Sequence, residues 1–338
     1  MRIALSRLDL TMRNSYEKIV TALYHALPTE GRSIPNIKSD LGVWQGKPTT
    51  GKTLYVDPQG YLEKRFSPRF HSMADAFKEL GQGDTILLYG KIDESGLVGP
   101  SREITDVTIC GMGTRTRPGH GGESAMAGAA DWSNAKDNDT DPLLTIIAQG
   151  WSIRNMHFGG AKRSTSVRLS RTSSFTKSGS HVEFRNVAFS GGMTGIEDYG
   201  GATNVGIYNC QFYGYHTQPG ATAIGYGTNP EGGMALPLMW EIVGNRFMNN
   251  DQHIVLNTSN SIVRDNVFFK VGYDFPRPNI TMLDLSAGKN NIVAHNQFGC
   301  RSDEPGYANG AFKMAPGDAW GPNYCTDKEV YGAPTEIG

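Results

Sequence analysis

The segment FRNVAF, residues 184–189, decides the fold because five other segments of the chain repeat its pattern. In each of the six, an apolar residue is followed five positions later by a phenylalanine, and an asparagine stands two or three residues before that phenylalanine. The other five segments are IRNMHF (153–158), IYNCQF (207–212), IVGNRF (242–247), VRDNVF (263–268) and VAHNQF (293–298).

The spacing of these repeats predicts a coil of short parallel strands. The phenylalanines lie at positions 158, 189, 212, 247, 268 and 298, so their separations vary from 21 to 35 residues. Helical repeats keep a fixed period because their helix pairs pack on one another, whereas loops between strands change length freely. We therefore expect the phenylalanines to stack inside the coil about 4.8 Å apart.

A second strand-like run follows four of the phenylalanines, so each turn of the coil is expected to hold at least two strands. The asparagines are expected at one corner of the coil, because asparagine tolerates the left-handed conformation and its amide can bond the neighbouring turn. The second runs are GIEDYG (195–200), TAIGYG (222–227), HIVLNT (253–258) and TMLDLS (281–286).

The first half of the chain joins this coil. MADAFKELGQGDTILLYG (73–90) predicts a short helix from Met73 to Leu80, a turn and a strand, and ITDVTICGMG (104–113) predicts another strand that ends at glycines. With LYVDPQG (54–60) upstream, this order resembles the start of the pectate-lyase-like right-handed parallel β-helix superfamily, in which a capping helix precedes a GDTI strand. The resemblance covers roughly residues 53–300. It implies an all-β, single-stranded right-handed parallel β-helix, a solenoid.

Three regions follow from this reading. Residues 1–50 form an N-terminal anchor or linker, residues 51–300 the β-helix, and residues 301–338 a loop-rich C-terminal cap or oligomerisation segment. An amphipathic helix is expected over residues 11–27. It either packs over the end of the coil or grips a neighbouring subunit.

GKPTTGKT, residues 46–53, fits the phosphate-loop pattern at every fixed position. A phosphate loop needs a buried strand before it and a helix directly after it. Here an extended run around Tyr55 follows, and Pro58 and Gly60 interrupt it before a helix can form. We expect a polar linker rather than a nucleotide site.

The composition excludes several classes of protein. The 32 basic and 33 acidic residues nearly cancel, which argues against nucleic acid as a partner. No apolar run approaches the length of a membrane span, so no membrane insertion is expected. No signal peptide is recognised at the N-terminus, and no cofactor is expected. The 42 glycines indicate frequent turns. Free thiols in a reducing cytosol are expected at the four cysteines, Cys110, Cys210, Cys300 and Cys325.

Two insertions are expected between strands. Residues 116–142 read as a long loop whose acidic residues either bind an ion or are solvated, and the pattern of a calcium loop is incomplete. Residues 161–180 carry five basic side chains and no acid, so they either contact an anionic glycan or acidic surface or form a mobile polar loop. The acidic residues are Asp137, Asp139 and Asp141, and the basic ones are Lys162, Arg163, Arg168, Arg171 and Lys177.

Glu197 and Asp284 are the candidate carboxylates. Aligning the second strands puts both in one outward column, three rungs and roughly 14 Å apart, whereas glycoside hydrolysis needs carboxylates about 5–10 Å apart. No metal site is predicted and the catalytic residues are unknown. Aromatic and imidazole rings near one rung either stack on sugars or pack between rungs or subunits. These are Tyr208, Tyr213, Tyr215, His216 and Tyr226.

The chain combines a helix before the coil, no recognised signal peptide and a β-helix without a recognised active site. This combination looks like bacteriophage spike, fibre or capsid and tail decoration proteins. That resemblance implies a virion structural protein without catalysis within one chain, assembled in the host cytoplasm and homotrimeric. Residues 1–50 would contact other virion proteins, and the coil would contact a cell-surface polysaccharide. The alternatives are a polysaccharide lyase or glycoside hydrolase of the same superfamily, and an intracellular structural repeat protein. An active site shared between subunits also stays open.

Overall fold

The computed structural model describes residues 51–112, 130–134, 140–160, 163–170, 179–216, 218–227, 238–269, 281–299, 312–325 and 329–330. The N-terminal segment 1–50, with its expected helix, lies outside the described residues. So do Asp137, Asp139, Lys162, Arg171, Lys177 and Cys300.

The described residues form a coil of three sheets, and successive strands of the chain visit sheets A, B and C in turn. Sheet A contains, in spatial order, β2 (Arg69–Phe70), β1 (Thr53–Val56), β3 (Thr85–Leu88), β6 (Thr108–Gly111), β9 (Ser152–Arg154), β12 (Glu183–Arg185), β15 (Gly206–Tyr208), β18 (Glu241–Val243), β21 (Ile262–Arg264), β24 (Ile292–Ala294) and β27 (Ala319–Trp320).

Sheets B and C run beside it. Sheet B contains β4 (Lys91–Asp93), β7 (Ala130–Ser133), β10 (Met156–Gly159), β13 (Ala188–Ser190), β16 (Gln211–Tyr213), β19 (Arg246–Met248), β22 (Val267–Phe269), β25 (Gln297–Gly299), β28 (Asn323–Cys325) and β29 (Glu329–Val330). Sheet C contains β5 (Leu97–Val98), β8 (Leu144–Ile146), β11 (Thr165–Ser170), β14 (Thr194–Tyr199), β17 (Thr222–Tyr226), β20 (Gln252–Val255), β23 (Thr281–Asp284) and β26 (Phe312–Lys313).

The strands of each sheet pair in parallel, apart from the last pair of sheet B, in which β29 is antiparallel to β28. A coil of three sheets whose successive rungs pair in parallel is the architecture of a parallel β-helix. The fold class predicted from the repeats is therefore confirmed.

A short helix, α1 (Met73–Lys78), lies where the sequence predicts it. Ser72 caps its N-terminus by accepting a hydrogen bond from the Asp75 amide at 3.0 Å. Met73 and Phe77 are buried, so the helix covers part of the core. Upstream, Thr53 begins β1, and the described end of the phosphate-loop pattern therefore leads into a strand.

The predicted phenylalanine column forms the centre of the coil. Each phenylalanine of the repeats pairs in register with the next, and all are fully buried. Neighbouring rings stack with centroids 4.7 to 5.5 Å apart and interplanar angles of 5° to 18°. Such stacking adds to the burial of apolar area, which is the main source of stability of the coil.

The repeated asparagines have two different functions, according to their distance from the phenylalanine. Asn155, Asn186 and Asn209 stand three residues before it and have φ values of 52°, in the left-handed region. Where the asparagine stands two residues before the phenylalanine, another residue takes the left-handed position and the asparagine is buried. The buried ones are Asn245, Asn266 and Asn296, continued by Asn323.

These buried asparagines form a ladder between turns. The Asn266 side chain accepts a hydrogen bond from the Asn245 backbone N–H at 2.9 Å and donates to the Ile242 carbonyl at 2.8 Å. Asn296 does the same for the next turn. Each amide thus satisfies buried backbone groups that the sheets leave unpaired.

Two segments expected as loops contain strands instead. Within residues 116–142, β7 brings Trp132 into the core, where its ring stacks on Phe158 with centroids 5.5 Å apart. Within residues 161–180, β11 adds a rung to sheet C with Val167 and Leu169 buried. For β7 and β11 the loop assignment was wrong, because burial of alternate residues outweighs the polar composition there.

The coil also continues past residue 300, where the repeats end. Strands β26, β27 and β28 add further pairs to sheets C, A and B. Phe312 is buried against Phe298, with ring centroids 4.7 Å apart at 79°.

Candidate functional site

The outer face of sheet C carries a group of polar and aromatic side chains that we call the sheet C strip: Arg168, Glu197, Tyr199, Asp284 and Lys313. The Arg168 Nε lies 2.6 Å from the Glu197 Oε2, and the Arg168 guanidinium carbon lies 4.3 Å from the centre of the Tyr199 ring. At the other end, the Lys313 Nζ lies 3.2 Å from the Asp284 Oδ2. The strip therefore presents two charged pairs and an aromatic ring along one face.

Strand alternation places these side chains outside. Ile196 and Asp198 of β14 point inward, and Glu197 and Tyr199 between and after them point outward. The buried Asp198 carboxylate accepts hydrogen bonds from the Gly201 and Ala202 amides at 3.0 and 2.8 Å, which fixes the turn after the strand.

Two glycines lie beside the Arg168–Glu197 pair. Gly225 follows Glu197 in register on the next rung. Gly227 lies directly under the strip, because a Cβ built there would lie 2.5 Å from the Glu197 carboxylate and 2.7 Å from the Tyr199 ring. Tyr226, which lies between these glycines in the sequence, is 50% exposed and pairs in register with Asp198 at the end of β17. The Glu197 and Tyr199 side chains therefore cover the Gly227 backbone, and Gly225 is buried.

The register confirms the predicted separation of the two carboxylates. Glu197 pairs with Gly225, Ile224 pairs with Ile254, and Val255 pairs with Asp284. Three rungs correspond to about 14 Å. Because a glycosidase pair lies about 5–10 Å apart, these two carboxylates do not form such a pair within one chain.

Arg168 and Tyr199 belong to this face, although the sequence does not predict them there. The polar composition of residues 161–180 predicts a loop, whereas Arg168 lies on β11, which pairs with β14. The alternation of Val167 and Leu169 around it is the signal that could have placed it.

The predicted aromatic residues lie on three different faces. Tyr208 lies on sheet A, Tyr213 on sheet B and Tyr226 on sheet C, although all three belong to one turn of the coil. His216 lies in the turn between sheets B and C and is half-buried. The structure therefore does not bring these residues together as one surface.

Tyr208 belongs to a closed ionic network on sheet A. Its hydroxyl donates to the Glu241 carboxylate at 2.7 Å, and the Arg185 guanidinium lies 4.4 Å from its ring centre. Arg154 and Arg185 both contact the buried Glu183, at 3.3 and 2.6 Å. Burial, together with Glu241, raises the pKa of Tyr208 well above its usual range, so the hydroxyl stays protonated as a donor.

Tyr215 is a core residue and is removed from the candidate surface residues. It is fully buried, with its hydroxyl 3.4 Å from the Ser166 hydroxyl, and burial raises its pKa. Its backbone N–H donates to the Asn250 side chain at 3.0 Å. Tyr213, by contrast, points outward from sheet B and is 48% exposed.

Two further features concern the described residues alone. No three of their His, Cys, Asp and Glu side chains come close enough together to hold a metal ion. None of their helices is long and apolar enough to cross a membrane.

Comparison with known proteins gives matches among solved structures. Neither a protein-family profile nor a curated protein matches the sequence. The pectate lyase Pel9A is 14% identical over 84% of this chain and 79% of its own, with a TM-score of 0.53. An alginate lyase from Paenibacillus sp. is 15% identical over 81% of this chain and 98% of its own, with a TM-score of 0.40. The Dettilon tailspike protein is 14% identical over 73% of this chain and 54% of its own, with a TM-score of 0.31.

Of these three, the pectate lyase superposes with a TM-score above 0.5, and at 14% identity it establishes the fold alone. That superposition agrees with the three parallel sheets and the interior column of phenylalanines. The chain therefore has the parallel β-helix fold.

Proposed function

We propose that this chain is a structural protein of a bacteriophage virion, a spike, fibre or capsid or tail decoration, whose coil binds a host-surface polysaccharide. In this proposal residues 1–50 attach the protein to other virion proteins. The protein is assembled in the host cytoplasm and becomes external as part of the particle. Glycan cleavage within one chain is not part of its function.

The outer face of sheet C is the observation that carries the polysaccharide part of the proposal. It combines the outward Tyr199 ring with the Arg168–Glu197 pair, and the exposed Tyr226 stands at the end of the next strand of the same sheet. Flat aromatic faces pack on the C–H surfaces of sugar rings. Paired charged groups offer donors and acceptors to sugar hydroxyls without leaving a buried charge unpaired.

The separation of Glu197 from Asp284 supports binding rather than hydrolysis. A bound sugar chain that follows sheet C would meet the two carboxylates at different sugar units, since they are three rungs apart. A single carboxylate at each place lacks the partner that an acid–base or nucleophile pair requires. The expected outcome of binding is an unchanged chain length of the polysaccharide.

The test is binding of the purified full-length protein to a panel of immobilised capsular and pectic polysaccharides. For the polysaccharide that binds, Tyr226→Ala and Arg168→Ala are each expected to weaken affinity about tenfold, which corresponds to about 1.4 kcal/mol. The matched control is Tyr61→Ala, because Tyr61 is an exposed tyrosine, 71% exposed, that lies outside sheet C. Equal affinity of the wild type and both sheet C variants would reject this face as the binding surface.

The same mixtures distinguish the enzyme alternative. Size-exclusion chromatography of the polysaccharide after incubation is expected to show its original length. Shortened chains or unsaturated products would instead establish a polysaccharide lyase or hydrolase. The virion part is tested by cross-linking in purified particles, where residues 1–50 are expected to be joined to another virion protein.

A further inference from the structure

Three polar side chains on the outer face of sheet B form a hydrogen-bonded relay across consecutive rungs. Asp131 lies on β7, His157 on β10 and Ser190 on β13. The His157 Nδ1 lies 2.9 Å from the Asp131 Oδ1, and the His157 Nε2 lies 2.6 Å from the Ser190 Oγ. We propose that Asp131, His157 and Ser190 are the catalytic triad of an ester hydrolase that removes small acyl groups from carbohydrate hydroxyls.

The hydrogen bonds fix which ring nitrogen does which task. Because the Asp131 carboxylate accepts a hydrogen bond from the His157 Nδ1–H, the lone pair of the neutral ring is at Nε2. Nε2 then accepts the hydrogen bond from the Ser190 hydroxyl. A nucleophile, a base in contact with it and a carboxylate that orients the base are the three parts of a nucleophilic triad, which recurs on unrelated folds.

The register of the coil creates this contact between residues far apart in the sequence. His157 pairs with Asp131 on one side, and Gly159 pairs with Ser190 on the other. The imidazole lies over Gly159, because a Cβ built on Gly159 would lie 3.2 Å from the His157 Cε1. The missing side chain at residue 159 therefore lets the ring lean along the sheet and reach the serine.

The site is open to a substrate. The side chains of His157 and Asp131 are 13% and 33% exposed, and Ser190 is half-buried. Gly191 and Gly192 follow Ser190 with φ values of 67° and 90°, so no Cβ covers the serine from that side. Tyr213, in register with Ser190 on the next rung, offers an exposed ring for the alcohol part of an ester.

The same glycines supply a backbone donor near the nucleophile. The Gly191 amide donates to the Tyr213 carbonyl at 3.0 Å, and the Met193 amide donates to the Ser164 carbonyl at 2.8 Å. Among the described residues no backbone carbonyl accepts a hydrogen bond from the buried Gly192 amide between them. In the proposed mechanism this amide is the donor that stabilises the negative oxygen of a tetrahedral intermediate.

The reaction proceeds through an acyl-serine. The Ser190 Oγ forms a bond to the ester carbonyl carbon and transfers its proton to the His157 Nε2. The bond from that carbon to the alkoxy oxygen breaks, and the departing alcohol takes the proton from Nε2. Water then attacks the acyl-serine and gives a proton to Nε2, which returns it to Ser190 as the carboxylic acid leaves. The small groups around the serine favour an acetyl-sized acyl group.

Hydrolysis of 4-nitrophenyl acetate by the full-length protein tests the triad. The wild type is expected to hydrolyse it with saturation kinetics, and Ser190→Ala and His157→Ala to lower kcat/KM about 10²–10⁴-fold. Gly159→Ala is expected to lower kcat/KM as well, since its Cβ displaces the His157 ring without changing a triad residue. Ser101→Ala, a half-buried serine in a turn away from sheet B, is the control and is expected to keep the wild-type rate.

Labelling by a fluorophosphonate gives a second readout, because it reports an activated serine whether or not an ester is turned over. One label is expected on the wild type, detected by intact mass, and none on Ser190→Ala. Circular dichroism and the melting temperature of each variant show whether it is folded. A folded wild type that reacts with neither probe, or a Ser190→Ala variant that retains both reactions, would overturn the proposal.

The carbohydrate part of this inference rests on the proposed function, whereas the ester hydrolysis does not. Acetate release from acetylated xylan is expected from the wild type and not from Ser190→Ala. Hydrolysis of 4-nitrophenyl acetate without acetate release would reject the carbohydrate substrate and keep the triad. Because Ser190 lies on sheet B, Ser190→Ala is expected to bind polysaccharide as the wild type does, which separates failure of the triad from failure of the sheet C strip.

Discussion

At the scale of the residue, His253 shows how the coil treats a titratable group in its core. The ring is fully buried, with its centroid 5.9 Å from that of Phe247 and 5.7 Å from that of Phe268. Its Nδ1 accepts a hydrogen bond from the Asn250 amide at 3.0 Å, and its Nε2 has no partner among the described residues. Burial therefore lowers the pKa of His253 from 6.5 to about 3.

This lowered pKa predicts acid sensitivity. Below pH 6.5 the unfolded chain binds a proton at His253 that the folded chain does not bind until about pH 3, so unfolding takes up a proton in this window. The stabilisation is thus fully present above pH 6.5 and is lost as the pH falls, by up to about 1.4 kcal/mol per pH unit. His253→Phe is expected to remove about 1–2 kcal/mol of the decrease in the free energy of unfolding between pH 6.5 and 5.

Urea unfolding at a series of pH values measures this slope, and carboxylates contribute little above pH 5. His295→Asn is the matched control, because His295 is an exposed histidine in a left-handed turn position that asparagine tolerates. The control is expected to keep the wild-type slope. An unchanged slope in His253→Phe would show that another group carries the acid sensitivity.

Residue spacing explains why the relay on sheet B was not found from the sequence. Asp131 and His157 are 26 residues apart, and His157 and Ser190 are 33 apart, with no motif linking them. His157 directly precedes Phe158 and Ser190 directly follows Phe189, so the repeats could have predicted that the His157 and Ser190 side chains point outward. The position of Asp131 could not be predicted in this way, because its rung has Trp132 where the other rungs have phenylalanine.

At the scale of the element, the asparagine ladder joins each turn of the coil to the next at one corner. Asn266 is in the middle of the ladder, with Asn245 on one side and Asn296 on the other. All three side chains are buried, so the groups that they pair have no water to replace the lost partner. Removal of one asparagine would therefore leave buried backbone groups without a hydrogen-bond partner, and this loss is the main effect of the ladder on the free energy of unfolding.

Asn266→Ala is expected to lower the free energy of unfolding by about 2–5 kcal/mol, since it leaves the Asn245 N–H and the Ile242 carbonyl buried without their partner. The measurement is chemical unfolding monitored by circular dichroism. Asn209→Gly provides the comparison: Asn209 has a left-handed φ of 52° and is exposed, so glycine is expected to cost less than about 1 kcal/mol there. A similar loss in both variants would contradict a special role for the ladder.

Periodicity decided which elements the sequence could predict. The phenylalanine column and the second strands were predictable because identical side chains recur at matching positions, and the observed register agrees with that alignment. Strands β7 and β11 were missed because their rungs use other residues, Trp132 in one and small hydroxyl side chains such as Ser166 in the other. The sheet C strip was half predicted, since Glu197 lies on a recognised strand and Arg168 on a missed one.

At the scale of the whole molecule, the outer face of sheet A changes character along the coil. Near the middle of the coil this face carries the charged network around Glu183. Nearer the C-terminal end it carries the apolar outward residues Ile262 and Ile292, which pair in register. Ile292 is 47% exposed. In the homotrimer that the resemblance to bacteriophage spike proteins implies, neighbouring subunits would cover these side chains. Burial of such a column is favourable by about 25 cal/mol for each Å² removed from water.

The trimer predicts a mass in solution near three times the 36.8 kDa of the chain, measured by light scattering at micromolar concentration. Replacing both Ile262 and Ile292 with glutamate is expected to yield a monomer, because six carboxylates would be forced together at the interface. Val98→Glu is the control, since Val98 is a comparably exposed apolar residue on sheet C, 51% exposed. A wild type that elutes as a monomer would refute the trimer.

The antiparallel pairing of β29 with β28 has a consequence for what the protein can build. A solenoid whose last parallel strand is left bare is a template on which another copy can continue the winding, end on end, into a fibril. A strand of reversed direction removes that template, because an incoming copy could no longer continue the parallel pairing of strands. At this edge of sheet B the reversal thus ends the parallel pattern, so a second copy could not stack there in the same direction.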